Sequence, residues 1–203
     1  VAWEAPGLDD GGWKIMRLPQ AWEKAVLPDA GAEAPDLVDT MDLEGSANEE
    51  AGLATFDGMV WFRKVIELPE TWGGQDLALH LGPIDEADMT WFNGTRVGAM
   101  DGLGPRDYPV PAAVVKAGRN VIAVRVLDRM NQGGFVGQPA QMILEWSGKK
   151  GQTPLLLSGD WKYRVGKPLA KMTPMPQRLV GNPNMPSVLF NGMIAPLVPF
   201  AIK

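Results

Sequence analysis

Between Met59 and Trp146 apolar residues recur at every second position, in short runs broken by Gly, Pro or Asn. Val60, Phe62, Ile66 and Leu68 share one parity, with Lys64 the exception. Leu77, Leu79 and Leu81 alternate with Ala78 and His80. A period of two puts alternate side chains on opposite faces of a strand and cannot present one face of a helix. Met89-Thr90-Trp91-Phe92 runs into Asn93-Gly94, followed by Thr95-Arg96-Val97, and Asn-Gly between two such runs marks a tight hairpin. Val121–Leu127 and Gln141–Trp146 add two further runs. No helical period separates the strands, which disfavours a parallel βαβ sheet. Closely spaced strands with turn punctuation predict an all-β sandwich or jelly roll.

The rest of the chain divides around this core. Residues 1–28 carry Trp3, Trp13 and Trp22 and a strand-like Trp13–Leu18, expected to join the sandwich. Residues 29–57 form an insertion with nine acidic residues and no Lys or Arg, read as solvated, with a short helix near 36–43. The jelly-roll core is expected over 58–147. Residues 148–203 are rich in proline and predict an early strand, then an extended irregular segment.

Composition excludes several kinds of chemistry. With 45% hydrophobic and 21% charged residues in 203, the chain can bury a core. It has no apolar run of about 18 residues for a membrane helix. The net charge of −5 shows no basic stripe for phosphates, so neither membrane nor nucleic acid is an expected partner. Cysteine is absent, which removes thiol nucleophiles and cysteine metal sites. A Ser-His-Asp machine would have to use His80, the one histidine. None of Ser46, Ser147, Ser158 and Ser187 lies in a Gly-x-Ser-x-Gly elbow. No metal or cofactor is expected, although Asp85, Glu86 and Asp88 crowd carboxylates before Met89. Three readings of that cluster stay open: a hard-cation site, a capped turn, or a buried pairing with Arg63 or Arg106.

The loop Asp128-Arg129-Met130-Asn131-Gln132-Gly133-Gly134-Phe135-Val136-Gly137 is the richest in candidate contacts. Sugar hydroxyls are read by groups that donate and accept, with an aromatic face for the C–H surface of the ring. Asp128, Asn131, Gln132 and Phe135 supply those types, and Trp91 and Arg106 join them as candidates. The alternative is a connection whose glycines serve backbone geometry alone. Trp61, on the parity opposite Val60 and Phe62, is expected to face outward.

Several segments resemble a known family. Gly58-Met-Val-Trp-Phe-Arg-Lys-Val-Ile-Glu-Leu-Pro69 resembles the opening strand of the galactose-binding-like jelly roll of glycoside hydrolase family two and of bacterial sialate O-acetylesterases. Leu81–Gly94, Arg106–Pro111 and Ala117–Asp128 resemble its following signatures. Pro186–Lys203 is similar to the esterase segment that returns from the inserted jelly roll to the catalytic domain, and Asp10–Lys24 is similar to the same family. The resemblance implies a periplasmic or secreted parent that removes acetyl groups from sialic acid or another sugar through an acyl-serine. It implies a galactose-binding-like jelly roll here. The family's Gly-Gln-Ser-Asn, Trp-Tyr-Gln-Gly-Glu and Asp-x-x-His blocks are not in this sequence, so no catalytic residue carries over and the chain alone is expected to lack activity. The insertion 29–57 departs from the short link usual in the family. The expected partners are a carbohydrate and the remainder of the esterase. The apolar tail 186–203 would be covered by folding back, by that remainder, or by self-association.

Overall fold

The structure, a computed structural model, describes residues 2–24, 53, 55–148 and 151–173. The chain divides into a unit Val1–Lys171 and a second unit Met172–Lys203. The expected helix near 36–43, most of the acidic insertion and the tail 186–203 lie outside the described residues.

The first unit is all-β. Its strands are β1 (Lys14–Leu18), β2 (Gly58–Leu68), β3 (Leu77–Asp85), β4 (Ala87–Phe92), β5 (Thr95–Asp101), β6 (Pro105–Val110), β7 (Gly118–Asp128), β8 (Gly134–Phe135), β9 (Met142–Trp146), β10 (Leu155–Leu156) and β11 (Gly159–Pro168). Short 3-10 turns are the only helical pieces among the described residues. One sheet has the order β1-β11-β2-β7-β4-β5, and the other β10-β9-β3-β6 with β8 beside β3. The pairings of these strands are all antiparallel. The chain passes repeatedly from one sheet to the other, giving a sandwich of the jelly-roll type.

The alternation read in the sequence becomes the core. Val60, Phe62, Val124, Val126, Phe92 and Trp161 come from the first sheet. Leu77, Leu79, Leu81, Ile84, Val110 and Leu144 come from the second, and all twelve are buried in one cluster. Burying each such side chain contributes about 1.5–3 kcal/mol, which offsets the entropy of ordering the strands. The expected hairpin forms between β4 and β5, with Asn93 at φ 49° and Gly94 at φ 81°. Both values suit a type I′ turn. The Asn93 amide also donates to Val114 O and to Asn120 Oδ1, while its oxygen accepts from Val121 N, tying the turn to β7.

Trp61 does project from the outer parity of β2, yet it is only 8% exposed. The segment 2–13 lies across that face. Trp3 meets Trp61 edge-on at 5.8 Å, and Trp91 stacks on Trp61 at 5.1 Å. Arg63, also outward, donates to the Trp3 carbonyl and pairs with Asp10 at 3.0 Å. The outward face expected for Trp61 is observed, and the segment 2–13 covers it: alternation predicts the face and not what lies over it.

Candidate functional site

Five chain segments meet at the end of the sandwich where β7 finishes. They are the 20–23 segment, the entry to β2 at Asp57, the β3–β4 corner, the β5–β6 loop and the loop 128–137. Backbone bonds fix most of the junctions. Trp22 N donates to Gly133 O (2.9 Å), Phe135 N to Gln20 O (3.2 Å), Val136 N to Pro83 O (3.0 Å) and Gly102 N to Glu86 O (2.8 Å). Ile84 pairs with Phe135 and Asp85 with Gly134 as β8 docks on β3. Gly133 is required by packing, because a Cβ there would overlap the Trp22 ring. Trp22 is 1% exposed and has nowhere to move. Gly133→Ala is therefore expected to destabilise the unit by about 1–3 kcal/mol, read as a lowered thermal midpoint.

Arg106 sets the geometry from beneath. Fully buried, it donates to Asp88 Oδ1 (2.9 Å), Gly104 O (2.6 Å) and Glu86 O (2.9 Å). Tyr108 Oη and Thr90 Oγ1 donate to the remaining sites of Asp88 at 2.8 Å each. One guanidinium thus staples the β3–β4 corner, the β5–β6 loop and β4 together. Of the readings open for the acidic cluster, the pairing with Arg106 is the one observed for Asp88. Among the described residues no group of three His, Asp or Glu side chains is arranged to hold a metal ion. Burial raises the Tyr108 phenol, and the adjacent Asp88 charge raises it further.

Above this staple lies the accessible layer. Arg129 forms a fork with Asp101, at 2.9 and 3.0 Å, and its NH1 also reaches Glu86 Oε2 at 3.5 Å. The hydrogen bonds it donates to Asp101 hold the Arg129 guanidinium above its ordinary pKa. Asn131, at φ 69°, and Gln132 are exposed beside it. Met130 and Leu103 add exposed apolar surface, 59% and 75% accessible.

The six candidates therefore separate. Asn131 and Gln132 stand at the surface of this end. Asp128 sits at its base, fully buried, with Oδ1 accepting from Met130 N at 3.0 Å. Arg106 lies beneath it as the staple. Phe135 offers no face to a ligand: it is 0% exposed and packs against Phe62 (5.3 Å) and Trp161 (5.9 Å). Docking β8 onto β3 turns that ring into the core. Trp91 lies elsewhere, on the outer face of β4, four residues or about 13 Å of strand from Ala87. It stacks on Trp61, with the Arg125 guanidinium 5.8 Å from its ring.

Sequence reasoning passed over Asp101 and Glu23 as contributors, and it named Arg129 and Glu86 only within the loop 128–137 and the acidic cluster. The partners of Arg129 come from β5 and the β3–β4 corner, far away in sequence. His80 is a half-exposed strand histidine: Nδ1 meets Asp107 Oδ1 across β3 and β6 at 2.6 Å, and Nε2 lies 3.5 Å from Glu145.

No family model matches the sequence. Similar solved structures include a glycosyl hydrolase family 2 member from Bacteroides cellulosilyticus DSM 14838, at 22% identity and TM-score 0.48, covering 66% of this chain and 17% of that one. A calcium-binding mutant of Bacteroides uniformis beta-glucuronidase 2 is 17% identical, with TM-score 0.46 and coverage of 80% and 16%. Ruminococcus gnavus beta-glucuronidase is 19% identical, with TM-score 0.36 and coverage of 38% and 14%. This chain spans less than a fifth of each of these three.

Proposed function

We propose that this chain is a non-catalytic, carbohydrate-binding-like module of a larger enzyme acting on sugars, a periplasmic or secreted esterase of the sialate O-acetylesterase kind. The observation that supports it is the layer of half-buried Arg129 and exposed Asn131 and Gln132 beside Met130 and Leu103, on a base held by Arg106. Amide side chains donate and accept together, as sugar hydroxyls require. The Leu103 and Met130 side chains offer apolar atoms to the C–H face of a ring. A base fixed by buried ion pairing lowers the ordering cost of binding. The esterase parent rests on the sequence resemblance of Gly58–Pro69, Leu81–Gly94 and Pro186–Lys203.

A second reading, a structural insertion that only buttresses the catalytic domain, is favoured by the burial of Phe135, which leaves the loop without an aromatic platform. Amide-resolved NMR titration with sialic acid, galactosides and acetylated xylosides separates the two. Sugar binding predicts shifts at 129–132 with a dissociation constant on the order of 1 mM, a free energy of about −4 kcal/mol. Asn131→Ala with Gln132→Ala should weaken it at least tenfold. A flat titration at tens of millimolar would leave buttressing as the function.

A further inference from the structure

We propose that Asp128 is a proton-binding latch: holding a proton, it clamps the loop 128–135 onto the 20–23 segment, and losing that proton loosens this end of the sandwich.

The geometry begins with convergence. Gly58 is the register partner of Asp128, so Asp57 arrives beside it. Trp22 Nε1 donates to Phe56 O at 3.3 Å, drawing the 20–23 segment to the same place. Glu23 Oε1 accepts from Gly133 N at 2.9 Å. Three acidic segments are thus packed together by strand register, by the Trp22 indole and by one backbone donor to the Glu23 carboxylate. Two of the carboxylate oxygens, Asp128 Oδ2 and Glu23 Oε2, are buried with no hydrogen-bond donor. Asp128 is 0% exposed, so bulk water does not solvate it.

The facing charges are mostly of one sign. From the 20–23 segment comes Glu23, from the entry to β2 Asp57, and from the β3–β4 corner Asp85 and Glu86. The guanidinium charges at this end are already paired, Arg106 with Asp88 and Arg129 with Asp101 and Glu86, although Arg129 Nε is buried without a hydrogen-bond partner among the described residues. A buried carboxylate without a counter-charge is costly, and it responds by taking up a proton. The acid form supplies a hydrogen-bond donor within this group of acceptors. Burial first, then the charges of Asp57, Glu23 and Glu86, push the Asp128 carboxyl up to about 6. Burial also pushes Glu23 and Asp85 upward.

The sign follows. In the unfolded chain an aspartate titrates near 3.9. Between about pH 4 and 6 the folded state therefore holds more protons than the unfolded state. Stability of this end is gained as pH falls through 6 and lost as it rises. Two pH units bound the effect at roughly 100-fold in the local opening equilibrium.

Hydrogen exchange of the amides of residues 130–135, corrected for intrinsic rates, tests this at pH 5 and pH 7.5. The wild-type loop is expected to be at least about tenfold more protected at pH 5. Asp128→Asn should be equally protected at both values. Equal wild-type protection at both values overturns the latch, and does so whether or not the variant folds. So does a pH dependence that survives in Asp128→Asn but disappears in Glu23→Gln. Restored protection on adding Ca²⁺ at pH 7.5, in wild type and not in Asp128→Asn, would overturn it in favour of a cation site.

Discussion

Arg106→Met is expected to cost the unit about 3–5 kcal/mol, the largest loss from a single exchange of similar size. Arg106 and Asp88 have fully buried side chains at 2.9 Å. Removing the guanidinium strands Asp88 as an uncompensated charge, with only the Thr90 and Tyr108 hydroxyls left to solvate it. It also frees the carbonyls of Gly104 and Glu86. Because a buried ion pair also carries its own desolvation penalty, the pair is worth less than its breakage suggests. The double variant Asp88→Asn/Arg106→Met should recover more than half of the loss. Urea unfolding of the two single variants and the double variant closes the cycle. A single-variant loss under about 1 kcal/mol would mean that the staple is not needed.

Phe135→Ala comes next, with an expected loss of about 3–5 kcal/mol from the cavity it leaves. The ring is fully buried among Phe62 and Trp161 and is held there by the docking of β8. Phe135→Leu keeps most of the volume and should cost under about 1.5 kcal/mol. The pair of variants separates packing from recognition. If sugar binds at 129–132, Phe135→Leu should bind it as tightly as the wild type. A tenfold loss of affinity in a stable Phe135→Leu protein would return the ring to the ligand.

These two residues show where the sequence was legible and where it was not. The pairing of an acid in the 85–88 cluster with Arg106 was among the readings open from composition alone. An apolar strand environment makes a lone arginine intolerable, so an arginine at an inward position asks for a carboxylate. Phe135 carried no such mark. A single aromatic after two glycines has no period from which its face can be read. Only the bridge between β8 and β3 turns it inward. Trp61 is the intermediate case: its parity was read correctly, but alternation says nothing of the segment 2–13 that lies over it. Arg129 was visible in the loop, yet Asp101 and Glu86 reach it only because β4 and β7 are neighbours in the sheet.

By itself the sequence determined the all-β class, the Asn93-Gly94 hairpin and the alternating residues of β2 and β3 that line the core. Each of these follows from a period of two or from backbone freedom at a turn, both local properties. Tertiary structure alone decided which charges meet, which aromatics are consumed in packing, and that Glu23 and Asp57 come to the corner where Asp128 is buried. Those outcomes depend on contacts between residues more than 100 positions apart, such as Glu23 with Gly133. No local pattern in the chain encodes them.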